Sequence, residues 1–113
     1  MKIFNNNNGV QILSLLDELF IVEQFSITMG TFTANQDRYD MTSTLTNVPQ
    51  GYTPIGIMGY SMSGAYYSHV LFSRLTLDTN NPNIVNWSAK NTASSATGSI
   101  TCVLSVLLKK NLN

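Results

Sequence analysis

Pro49 and Pro54 bracket Gln50, Gly51, Tyr52 and Thr53 and close off any helix through the middle of this chain. Gly51 supplies a residue free to adopt positive φ, so the segment predicts a tight turn leading into a strand. Beyond Pro54, Ile55, Ile57 and Gly59 alternate with Gly56, Met58 and Tyr60, the two-residue beat by which a strand sorts its faces. Gly56 and Gly59 carry no side chain and are expected to admit a backbone or an aromatic ring at close range.

The same beat governs most of the chain. Ile21, Glu23, Phe25, Ile27 and Met29 oppose Phe20, Val22, Gln24, Ser26 and Thr28, with Gly30 to end or bend the strand. Thr31 to Asp40 reads as a polar connector holding Asp37 and Arg38, and Met41 to Thr46 as a half-solvated strand. After a turn at Ser61 to Ala65, Tyr67 to Leu77 predicts a strand with His69, Leu71, Ser73, Leu75 and Leu77 on one side and Val70, Phe72, Arg74 and Thr76 on the other. The cluster Asp78 to Asn83 is dense in turn formers, so Ile84 to Lys90 returns as its hairpin partner, and Asn91 to Gly98 is a loop. Ile100 to Lys109 is apolar on both faces, which suits a central strand. Six strands joined by short turns predict an all-β domain, an antiparallel β-sandwich of jelly-roll-like type.

Only the N-terminal part departs from this period. Asn5 to Asn8 and Gly9 form a polar, low-complexity lead-in. Ile12, Leu15, Leu16 and Leu19 then recur at helical spacing, and Ser14 with Asp17 makes a modest capping box, so Val10 to Leu19 predicts a short N-terminal helix. Too short to be stable alone, it either packs on its own domain or forms the end of a coiled-coil stalk shared with partner chains. The chain therefore divides into residues 1–19, a flexible lead-in and helix, and residues 20–113, a β head.

Composition narrows function. A chain of 113 residues is one domain, able to bury about two thirds of its unfolded surface. Charged residues make up only 11% and the formal net charge is zero, so no basic field exists to hold nucleic acid. The polar surface is neutral instead: 13 Asn, 12 Ser and 12 Thr, a balance typical of β-rich extracellular or virion proteins. No apolar run is long enough to insert in a membrane, no secretory signal peptide is evident, and the single cysteine, Cys102, has no disulfide partner within the chain.

Catalytic constellations do not emerge. His69 and Cys102 are each the sole residue of their type, so one chain cannot assemble a usual zinc set; three copies of His69 about an axis could, although a lone strand histidine more commonly packs or hydrogen-bonds. No G-x-S-x-G occurs, since Gly59 to Gly64 has the wrong spacing. Asp37 and Asp40 could share a calcium ion or flank a glycosidic bond, but beside Arg38 they read more simply as solvated loop charges. No cofactor and no enzymatic activity are expected. Aromatics give a better lead: Tyr66, Tyr67 and Trp87 in the turn-rich half are candidates to stack on sugar rings, with Asp37 and Arg38 bonding hydroxyls, against the common alternative of burial in a core. Tyr52 and Tyr60 belong more to the strand and turn that build the fold.

The succession VPQGYTPIGIMGY, a Ser/Gly/Ala turn, SHVLFSRLTL, NIVNWSAKN and GSITCVLSVLLKK, over about Phe20 to Lys110, resembles the C-terminal head domains of tail-fibre and baseplate receptor-binding proteins from phages and prophages of Gram-positive gut bacteria. The resemblance implies a non-enzymatic head on a virion tail tip, or extracellular, that attaches as a homotrimer to host cell-wall or surface saccharide. It also implies a stalk-end helix with Ile12, Leu15, Leu16 and Leu19 at the trimer interface. The alternative is a structural virion or decoration protein whose trimer assembly is its function. This sequence starts at Met1 almost directly before the helix, without the long shaft of such proteins.

Overall fold

A computed structural model describes residues 19–112. The helix expected over Val10 to Leu19, with Ile12, Leu15 and Leu16, lies outside the described residues, which begin at a half-buried Leu19. The strands are β1 (Phe20–Thr31), β2 (Asp37–Thr44), β3 (Tyr52–Ser63), β4 (Val70–Leu77), β5 (Ile84–Asn91) and β6 (Ser99–Lys110), with one 3-10 turn at Tyr67–His69. They form two three-stranded sheets, one in the order β1-β6-β3 and the other β2-β5-β4. Every pairing is antiparallel.

β6 is central, as its two apolar faces require. Ile100, Cys102, Leu104, Val106 and Leu108 are fully buried, while Thr101, Val103, Ser105 and Leu107 stay half-exposed on the outer face. Phe25, Ile27 and Met29 of β1 join the same core, as do Val70 of β4 and Val85, Trp87 and Ala89 of β5, so both sheets feed one apolar cluster. The loop before β6 is drawn into it by polar bonds. Phe32 and Thr97 exchange two of them, and the buried Asn91 side chain donates to the Thr33 and Ser95 carbonyls while accepting from the Ala93 N–H. Among the described residues no buried side-chain nitrogen or oxygen lacks a partner. Leaving one unpaired would cost about 1–3 kcal/mol.

Bulges correct the sequence expectations in three strands. The ladder between β4 and β5 skips a residue between Phe72 and Arg74. Val70 and Phe72 therefore face the core before the bulge and Leu75 and Leu77 after it, whereas Leu71 is 57% exposed. One inserted residue flips the parity of every residue beyond it. The strand also starts later than expected, because Tyr67–His69 is a 3-10 turn. β3 carries two such shifts, between Pro54 and Gly56 and between Ile57 and Gly59, so Ile57 packs on the core while Ile55 and Met58 are exposed. Contrary to the close approach expected there, a Cβ built at Gly56 or Gly59 meets nothing within 4 Å. β2 begins at Asp37 inside the supposed connector and bulges between Arg38 and Met41.

Candidate binding surface

The turn joining β3 to β4 is held by its backbone. Gly64 adopts φ +120°, and a Cβ there would lie 2.3 Å from the Ser99 carbonyl oxygen. The Gly98 N–H donates to the Ala65 carbonyl at 3.0 Å, the Thr92 N–H to that of His69 at 2.8 Å, and the Thr92 hydroxyl to the same His69 oxygen at 2.9 Å. The Tyr67 and His69 N–H groups donate to the carbonyls of Gly64 and Tyr66. Between these ties Tyr66 takes the left-handed conformation, φ +63°, rare for a bulky side chain and sustained only where surrounding bonds fix it. Tyr66 is 62% exposed and Tyr67 48%.

Beside the turn, Tyr60, Ser61, Met62, Tyr67, Ser68 and Val70 line an open groove of about 310 Å³. Tyr60 is half-exposed yet oriented from within: its ring meets Phe72 edge-on at 5.0 Å, and Phe72 meets Trp87 edge-on at 6.3 Å. Such edge-to-face contacts add about 0.5–1.5 kcal/mol each beyond area burial. The groove thus brings two tyrosines together with the hydroxyl-bearing Ser61 and Ser68, beside a turn tied by main-chain bonds. Preorganisation of this kind removes an entropic penalty from binding. Tyr66 and His69 stand alongside, rings 6.4 Å apart.

Of the five residues proposed as ligand-binding from sequence, only Tyr67 lines the groove, with Tyr66 beside it in the turn. Trp87 is 2% exposed and its Nε1–H donates to Ser43 Oγ at 3.0 Å, so it is a core residue with a satisfied polar edge. Arg38 turns away from solvent too: its guanidinium bonds the Met29 and Thr31 carbonyls and stacks 4.5 Å over the Phe32 ring, clamping the bulge at Gly30. Asp37 is exposed, but on β2, paired with Lys90 of β5. Sequence reasoning missed Tyr60, Ser61 and Ser68 as groove residues. The adjacent tyrosines after Ser63, Gly64 and Ala65 were the available signal, because a turn cannot bury both.

Charges of chemical interest are few. The Asp78 carboxyl is held below its ordinary value by the Asn86 side-chain amide, then by the Asn81 and Asn80 backbone N–H groups. Burial pushes the Cys102 thiol up to about 11, leaving it protonated and inert at neutral pH. Among the described residues no group of three or more His, Cys, Asp or Glu side chains could hold a metal, and no helix is long and apolar enough to cross a membrane.

No protein family, curated protein or solved structure matches this chain.

Proposed function

We propose that the chain is a receptor-binding head of phage-tail type, its two sheets packed as a jelly-roll-like sandwich, acting without catalysis as a homotrimer on host cell-surface saccharide. The observation that carries this reading is the groove of Tyr60 and Tyr67. Half-exposed tyrosines, one on β3 and one on a turn tied by main-chain bonds, are spared from the core, and ring stacking with nearby hydroxyls is how a protein grips a sugar ring. Repeating a weak site on one rigid body multiplies affinity without new contacts. The expected location is a virion tail tip or the extracellular space, with Ile12, Leu15, Leu16 and Leu19 near the threefold axis.

A second reading, a structural virion or decoration protein, is favoured by a different surface. On the outer face of the β1-β6-β3 sheet, Phe20, Val22, Ile55 and Met58 are exposed and Leu107 half-exposed, without a covering layer among the described residues. A chain of zero net charge does not resist association through such a face. Two measurements separate the readings. Light scattering after size exclusion should give three times 12.5 kDa irrespective of dilution. A glycan array probed with wild type and Tyr67→Ser should then show binding that the variant loses; a stable trimer blind to every glycan favours the structural role, and a monomer removes both trimer readings.

A further inference from the structure

The two sheets present unlike outer faces. That of β1-β6-β3 mixes apolar Val22 and Leu107 with neutral polar Gln24, Ser26 and Ser105 and carries Lys109 at its end, whereas on the β2-β5-β4 sheet Asp37 pairs with Lys90 and Arg74 with Ser88, whose hydroxyl takes the N–H of Asp40. At Ser88 both neighbouring strands bulge, β2 between Arg38 and Met41 and β4 between Phe72 and Arg74. Ser88 alternates with the core residues Trp87 and Ala89 and so points outward, yet it is only 2% exposed. Its hydroxyl accepts from the Asp40 N–H at 3.0 Å and its carbonyl from the Ser73 hydroxyl at 3.4 Å. Asp40, in the left-handed region at φ +54°, reaches Arg74 across the central strand, Oδ1 to Nη1 3.7 Å, with side chains 71% and 49% exposed. Tyr39, next to Asp40 in the bulge, is 71% exposed.

An exposed ion pair with one long contact contributes little to stability. The two interrupted ladders are held instead by the bonds of the Asp40 N–H and the Ser73 hydroxyl to Ser88. Matched bulges that re-aim exposed side chains to solvent, beside a left-handed residue, point to a site.

We propose that Tyr39, Asp40 and Arg74 form a second saccharide subsite, for a neutral pyranose with two adjacent hydroxyl groups. The Asp40 carboxylate accepts from both hydroxyls, the Arg74 guanidinium donates to a ring or hydroxyl oxygen, and the Tyr39 ring covers a C–H face. The loose ion pair opens to admit the sugar at small cost. The sugar is neutral because Asp37 and Asp40 balance Lys90 and Arg74, leaving no net field for an ion. This inference rests on the attachment reading above, and it places sugar on the sheet face away from the apolar surface.

The test is an amide-shift titration of the full ¹⁵N-labelled chain with the methyl pyranosides of glucose, galactose, mannose, rhamnose and N-acetylglucosamine, and separately with potassium phosphate. At least one glycoside should shift the amides of Tyr39 to Met41 and Ser73 to Leu75. Asp40→Asn, which keeps a residue at home in the left-handed region, and Arg74→Lys, which keeps the charge but loses the fork, should each weaken that titration at least tenfold. Tyr67→Ser should leave it unchanged. Shifts confined to Tyr60 through Val70 overturn the subsite while preserving the attachment reading; no shift with any glycoside overturns both; a response to phosphate alone replaces the sugar by an anion.

Discussion

At Gly64 the chain has a position where the local backbone and a distant one meet without space for a methyl group. Gly64→Ala must move the Ser99 carbonyl or abandon φ +120°, and should destabilise the protein by about 3 kcal/mol, measurable as a lower urea midpoint at unchanged slope. Cys102 makes a second residue-scale prediction. Its thiol should resist Ellman's reagent in the native state, and alkaline stability should fall between pH 9 and about 11, where the unfolded thiol ionises and the folded one does not. At Asp78 the sign reverses. A lowered folded pKa gives stability that is present above the ordinary value of 3.8 and lost as the pH falls through the folded value, so Asp78→Asn should flatten the acid limb of the melting profile. The roles of Trp87 and Arg38 were hidden from sequence because each is decided by a remote partner, the Ser43 hydroxyl in one case and the Met29 and Thr31 carbonyls in the other.

Elements were legible where alternation runs unbroken. The central position of β6 follows from its doubly apolar pattern, and the hairpin from the Asp78 to Asn83 turn, confirmed by the pairing of Leu77 with Val85. Phase was lost wherever a strand carries an extra residue. Nothing in the residue types of Phe72, Ser73 and Arg74 announces a bulge, since the partner strand determines it, and the two halves of β4 exchange faces relative to each other as a result, while β5 and β6 keep the alternation read from sequence. A paired substitution checks the assignment of faces in β6: Leu104→Ala, in the core, should cost about 2–5 kcal/mol, whereas Leu107→Ala, on the outer face, should leave the stability of an isolated protomer nearly unchanged.

Across the whole molecule, the division of the outer faces leads to a prediction about assembly. Val22 lies 55% exposed on the outer face of the β1-β6-β3 sheet, so Val22→Lys should be tolerated by the folded protomer, yet lower the mass in solution of the trimer proposed above toward that of a monomer if copies meet there. Unchanged mass in a folded variant would assign the contacts to another surface. The candidate groove was half legible: the turn marked Tyr67, while Tyr60 is brought in by the Tyr60–Phe72–Trp87 stack that only the packed sheets create.

The turn from Gly64 to His69 owes its shape to glycines and main-chain bonds, and none of those bonds uses the phenol groups of Tyr66 or Tyr67. Framework and display are therefore separable at this tip. Position 67 should accept almost any side chain and position 66 should favour Asn, Asp or Gly, so variation in what is displayed can proceed without refolding the part that displays it. Under the attachment reading proposed above, a lineage adapting to a changing partner would drift at these two positions while Gly64 and Gly98 stayed fixed.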